Sequence, residues 1–258
     1  MIGFIIKKAF FDTWDNLIKF VVLNLMTIPF LFIIYLGLNF ISSGNLLGVL
    51  LIAIGLILFI LHLGTIAYLI RDIGNSSFGS MKDYIKYFKE EFNIKIKFGV
   101  SWTLFIILTT FSIGYYLNGE GFLSLIPLAL VFWFSMTTSL AVILFFPIKT
   151  RFSGNFIKIV KKSFIILLDN SGVGIFVFIY TIILLILSIP TLGLLFPGVS
   201  SIMCVLDTTV HMYELKYDYL EANPEADRKK LPWNELYYEL NENIGPRSLK
   251  GMIFPWKD

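Results

Sequence analysis

The chain has 258 residues, 57% hydrophobic and 15% charged, with a net charge of +3. A soluble globular domain carries about a quarter charged residues, so an ordinary soluble domain is excluded. One cysteine excludes an internal disulfide, and so small a net charge gives no footing for a polyanion.

The charges are unevenly spread, and this predicts the elements in chain order. No Asp, Glu, Lys or Arg lies between Lys19 and Arg71; only Glu120 lies between Lys97 and Lys149, and only Asp207 between Asp169 and Glu214. A membrane-spanning helix needs about 20 apolar residues, so each run holds two. Six spans are expected, at 18–40, 46–70, 98–118, 122–148, 171–190 and 194–214. They pair into three hairpins, with turns near 42–45, 118–121 and 190–198. The first span is too long for a signal h-region, and Asp12 and Asp15 precede it.

Before each hairpin stands a short amphipathic segment. In 4–18, Phe10, Phe11, Trp14, Leu17 and Ile18 share a helical face opposite Lys8, Asp12, Asp15 and Lys19. In 81–96, Tyr84, Ile85, Phe88 and Phe92 oppose Lys82, Lys86 and Lys89. In 155–169, Phe156, Val160 and Phe164 oppose Lys158, Lys161 and Lys162. Lysine-rich helices of this kind lie in the headgroup plane. All 21 Lys and Arg fall outside the three turns. By the positive-inside rule both termini are cytoplasmic and the turns external, in the inner (cytoplasmic) membrane.

The hairpins share one offset. Asn16, Asn93 and Asn170 are 77 residues apart, as are Gly44, Gly121 and Gly198, and Phe10, Tyr87 and Phe164. A fixed self-offset marks a repeat. Two spans per copy keep the copies parallel. The expected fold is therefore an all-α integral membrane protein. Its six transmembrane helices form three hairpins in a parallel threefold pseudo-repeat, each preceded by an amphipathic interfacial helix. The repeat units are about 4–70, 81–148 and 155–214 within a membrane domain of 1–214. Residues 215–258 form a cytoplasmic C-terminal tail.

Chemistry is sparse. The stretch VLDTTVHM places Asp207, Thr208 and His211 inside the sixth span. Asp207 lies nine residues past Gly198, about 14 Å along a helix and near the bilayer middle. His211 is one turn on. The only other histidine, His62, is in span two; its counterpart at the repeat offset is Ser139, near Thr137 in span four. An intramembrane charge faces the bundle interior. Two readings follow: a proton- or cation-responsive site of Asp207, His211, His62, Thr208, Thr137 and Ser139, or a structural polar knot in which Asp207 bonds a hydroxyl or histidine. In the tail, Trp233, Phe254 and Trp256 are either docking residues for a partner or headgroup anchors. No phosphate loop, metal motif or nucleophile elbow occurs, so no catalytic, cofactor or metal site is assigned and no nucleic acid is expected.

Three stretches carry a family likeness: NLIKFVVLNLMTIPFLFI after Trp14-Asp15, GTIAYLIRDIGNSSFGSMKDYIKYFKEEF, and IVKKSFIILLDNSGVGIFVF. Over roughly 8–210 the chain resembles the YesL-like family of bacterial membrane proteins. The resemblance implies a link with carbohydrate uptake and no catalytic residue. The expected function is thus a non-enzymatic membrane protein that assists or assembles with another membrane complex, with the bilayer and a membrane or cytoplasmic protein as partners. The alternative is a small secondary transporter or channel using Asp207.

Overall fold

The computed structural model describes residues 1–75, 80, 82–119, 121–191, 197–228 and 230–247. The tail residues Phe254 and Trp256 lie outside the described residues. The described residues form helices and no strands.

The first unit consists of α1 (Ile2–Asp15), α2 (Leu17–Leu25), α3 (Ile28–Ser42) and α4 (Leu47–Gly74). The second is α5 (Asp83–Lys89), α6 (Phe92–Leu117), α7 (Leu125–Val142) and α8 (Phe145–Arg151). The third is α9 (Phe156–Asp169), α10 (Ser171–Ser188) and α11 (Gly198–Ala222). Two short helices follow, α12 (Trp233–Leu236) and α13 (Tyr238–Ile244).

Local sequence accounts for the breaks. Pro29 stands in the first turn of α3, and Pro147 in that of α8. A proline ring clashes with the carbonyl four residues back and donates no N–H. The helices therefore restart after Leu25 and after Val142. Asn155 caps α9, its side chain accepting from the Lys158 N–H at 3.0 Å, which satisfies one of the free N–H groups of the first turn. Gly44, Gly121 and Gly198 all have positive φ, at 77°, 91° and 61°, a backbone region that glycine enters without penalty. Asn16 and Asn170 each close a helix in similar conformations, φ −115° and −130°, and each donates from its side chain to the carbonyl four residues back.

Among the described residues, five helical segments are long and apolar enough to cross a membrane: Leu17–Ser42, Leu47–Gly74, Phe92–Leu117, Phe122–Arg151 and Ser171–Thr191. The expected sixth, 194–214, is not among them. Its helix, α11, is diluted by Asp207, His211, Glu214 and several hydroxyls. It is also largely enclosed: every residue from Ser200 to Val210 is buried. A helix wrapped by protein need not present lipid-like side chains all round.

The centre of the fold is the mutual packing of α4, α8 and α11, with α1, α2 and α10 also against α11. The beginning of α11 is fixed by Asn24 of α2. The Asn24 side-chain oxygen Oδ1 accepts from the Ser200 N–H at 2.9 Å and from its hydroxyl at 2.8 Å. Gly198 is required there, because a Cβ would overlap the Asn24 side chain.

The amphipathic face expected for 4–18 is partly reversed. Lys8 is only 2% exposed, while Trp14 and Ile18 are 48% and 79% exposed. α1 packs on α11, its buried residues are Phe4, Ile5, Lys8, Ala9, Phe11 and Thr13, and Lys8 is accommodated by Asp12 at 2.8 Å. A buried ion pair within one helix mimics a polar face in the sequence.

Candidate functional site

Asp207 is buried, as its cost in an apolar environment demands. Its partner is Arg151, the last residue of α8, not a hydroxyl or a histidine. Arg151 Nε donates to Asp207 Oδ1 at 2.9 Å and Nη2 to Oδ2 at 2.6 Å. Both side chains are 2% exposed. The guanidinium fork matches a carboxylate edge, which makes this pairing stronger and more directional than a lysine would allow. Arg151 Nη1 also donates to Glu214 at 3.0 Å and to the Asn75 side chain at 3.3 Å. Asp207 and Glu214 are two helical turns apart on one face of α11, so one guanidinium bridges both. Gly74 completes the site; a Cβ there would lie 3.1 Å from Asp207 Oδ2.

This geometry corrects the depth expected for Asp207. Its neighbours Gly74 and Arg151 are the terminal residues of α4 and α8. Both belong to the end of the bundle that carries Arg71, Lys149 and Arg151. The expectation counted from Gly198 as if the third turn lay at the outer surface. Gly198 instead packs on Asn24, in the interior of the first span.

The remaining sequence candidates are dispersed. His211 lies one turn from Asp207, and its buried Nδ1 has no hydrogen-bond partner among the described residues. Thr208 is buried on the same helix. His62 is elsewhere: Nδ1 is 2.7 Å from the Tyr84 hydroxyl and Nε2 is 3.1 Å from the Leu23 carbonyl. A carbonyl only accepts, so Nε2 carries the proton and Nδ1 accepts from Tyr84. This neutral histidine clips α4 to α2 and α5. It is twelve residues, about 18 Å, along α4 from Gly74. Thr137 is exposed on α7, and α7, which also carries Ser139, packs on α6, α9 and α10.

Sequence reasoning missed Arg151. The signal was available: an arginine closes the second apolar run, and the third run contains a single acid. Two ionised groups in an apolar bundle are each costly alone and tolerable together.

The same end of the bundle is laced with further ion pairs. Arg71 bonds Asp72 at 2.9 Å and the Thr150 carbonyl at 3.1 Å, and the Tyr87 hydroxyl donates to Asp72. Lys149 meets Glu91 at 2.9 Å. Lys216 bonds Asp169 at 2.8 Å and Asn170 at 2.7 Å, and the Tyr217 hydroxyl donates to Asp169 at 2.8 Å. The bonds from Lys216 and then Tyr217 hold the Asp169 carboxyl below its usual range. Burial pushes the Asp12 carboxyl up, opposed by Lys8, and raises the Tyr84 hydroxyl to about 12.

The tail is partly folded. Tyr237 stacks on Phe4 with ring centroids 4.2 Å apart. Lys7 donates to Asn241 at 3.2 Å. Arg247 makes two 2.9 Å bonds to Asp15. Trp233 is partly buried against the core, so it has a partner within the chain.

No protein-family model matches the chain, and neither does any curated protein or solved structure.

Proposed function

We propose that this is a non-enzymatic, multi-pass protein of the cytoplasmic membrane that assembles with another membrane complex, with α11 as a protein-wrapped sixth helix that begins within the bundle. The observation that carries the reading is the consumption of Asp207. The lone carboxylate of the third apolar run has both oxygens on Arg151, which is itself shared with Glu214. A proton-coupled carrier needs an intramembrane acid that can gain and lose a proton. Here both oxygens are already held in the guanidinium fork, a directional pairing that occupies the carboxylate.

The threefold pseudo-repeat belongs to this proposal. Support comes from the positive φ of Gly44, Gly121 and Gly198, the similar breaks at Asn16 and Asn170, and the pairwise packing of α4, α8 and α11. The orientation, termini cytoplasmic, rests on the distribution of Lys and Arg. A link with solute uptake rests on the YesL-like motifs alone.

Two experiments test this. Cysteines placed at Ser43 and Gly119 are labelled from outside intact cells, and one at Ser80 is not; labelling at Ser80 defeats the topology. In liposomes, Asp207→Asn leaves solute and proton flux at the wild-type level. Loss of a measurable flux in folded Asp207→Asn protein defeats the accessory reading and installs the transporter.

A further inference from the structure

We propose that the groove between α6, α7 and α9 binds an anionic phospholipid, with an acyl chain against its aromatic wall and the headgroup phosphate on Lys161. The groove has a volume of about 400 Å³. One wall is Phe98, Trp102 and Phe105, spaced i, i+4 and i+7 on α6. Their rings are stacked in series, Phe98–Trp102 at 6.4 Å and Trp102–Phe105 at 4.8 Å. Phe98 is pinned behind by Phe145 at 4.1 Å, so the wall is braced from within. It extends seven residues along α6, about 10 Å into the bundle, and is open to the side rather than closed as a core.

The other wall is α9, and its residue pattern identifies the occupant. Ile157, Lys161, Phe164, Ile165 and Leu168 recur at helical spacing along one stripe. Ile157, Ile165 and Leu168 are 62%, 63% and 71% exposed. A lysine inside an exposed apolar stripe lays its methylenes on the apolar surface and presents its ammonium at the polar boundary. Among the described residues Lys8, Lys149 and Lys216 each meet a carboxylate, whereas no carboxylate meets Lys161. Lys158, one turn before it, is likewise exposed. An apolar groove with an uncompensated cation at its mouth, at the basic end of the bundle, fits an acidic lipid of that leaflet. The inference needs only the membrane setting of these helices and is independent of the partner reading.

The test uses the full-length protein in phosphatidylcholine vesicles and two quenchers, brominated phosphatidylglycerol and brominated phosphatidylcholine, at the same low mole fraction. Trp102 fluorescence is the difference between wild type and Trp102→Phe. Trp133, exposed on α7 and read from Trp133→Phe, is the membrane control. The proposal expects several-fold stronger quenching of Trp102 by the anionic lipid, equal quenching of Trp133 by both, and loss of the Trp102 preference in Lys161→Gln but not Lys161→Arg. Equal or absent quenching of Trp102 with Trp133 quenched overturns the site. So does a preference that survives Lys161→Gln, which would reflect surface charge in general. An unquenched Trp133 overturns the membrane setting itself.

Discussion

The first and second hairpins are both built from helices apolar enough to cross a membrane, yet they pack differently. In the first, α3 and α4 meet along glycines. A Cβ on Gly37 would lie 2.8 Å from the Gly48 carbonyl oxygen, and one on Gly55 would lie 2.6 Å from Ile34 Cγ1. Small residues let the two backbones approach, which is how helices gain contact where lipid removes the hydrophobic drive. In the second, α6 offers Gly114, beside which a Cβ would meet nothing within 4 Å. The far halves of α6 and α7 and the turn between them leave Phe111, Tyr115, Leu123 and Leu130 67–80% exposed. An open groove of about 830 Å³ lies beside their turn. Mean apolarity places a helix in a membrane, but the spacing of small residues decides whether it meets protein or lipid.

The second hairpin is held at its basic end, where α6 packs on α4 and α8 packs on α4 and α11; the Arg151–Asp207 fork is the charged tie there. Removing that tie gives the largest expected effect. Asp207→Leu leaves Arg151 without its fork partner in a buried site and should cost about 3–5 kcal/mol. Thermal unfolding in mild detergent would read it, and unchanged stability would mean the second hairpin is held by something else. Replacing both residues, Asp207→Leu with Arg151→Met, should recover part of that loss, since an uncompensated charge is worse than an apolar pair.

The seam comes next. Gly48→Val places a branched side chain where a Cβ would already lie 2.7 Å from the Ile41 backbone nitrogen. Overpacking of this kind costs about 1–3 kcal/mol. Gly114→Val on the second hairpin should stay within about 0.5 kcal/mol, as surface changes do. Equal effects at the two glycines would erase the contrast between the hairpins.

The smallest effect concerns acid. Asp169 has its folded pKa lowered from 3.8 by Lys216 and Tyr217. Its contribution is therefore complete above the unfolded value and lost as pH falls through the lower folded value. The pair is partly exposed and worth less than about 1 kcal/mol. Asp169→Asn should lower the neutral plateau by less than about 1 kcal/mol and converge with the wild type at acid pH, which flattens the acid limb slightly.

Much of this was legible in the sequence, and the failures share a cause. The apolar runs located five helices of spanning length, because length and hydropathy are local properties. The turn glycines were found because a positive φ restricts the residue type. The inward face of α1 was misjudged because Lys8 and Asp12 neutralise each other within the core, and a pattern cannot distinguish that from solvent. Asp207 was placed too deep because the level of the third hairpin is set by Asn24 gripping Ser200 across more than 170 residues. His62 was grouped with Asp207 by chemical type, whereas its two nitrogens serve Leu23 and Tyr84. Long-range partner choice is a property of packing, and Arg151, the one partner that charge accounting along the chain could have supplied, is absent from the expected set.

The claim beneath the account is that Asp207 serves as a clamp on Arg151. A double-mutant cycle of Asp207→Asn and Arg151→Gln, by reversible unfolding in detergent, addresses it most directly. Each single change should destabilise, the double should be little worse than the poorer single, and the coupling should fall toward the top of the roughly 0.5–3 kcal/mol found for contacting residues. A coupling indistinguishable from zero, with Asp207→Asn as stable as wild type, would contradict the clamp and leave the carboxylate free for another role.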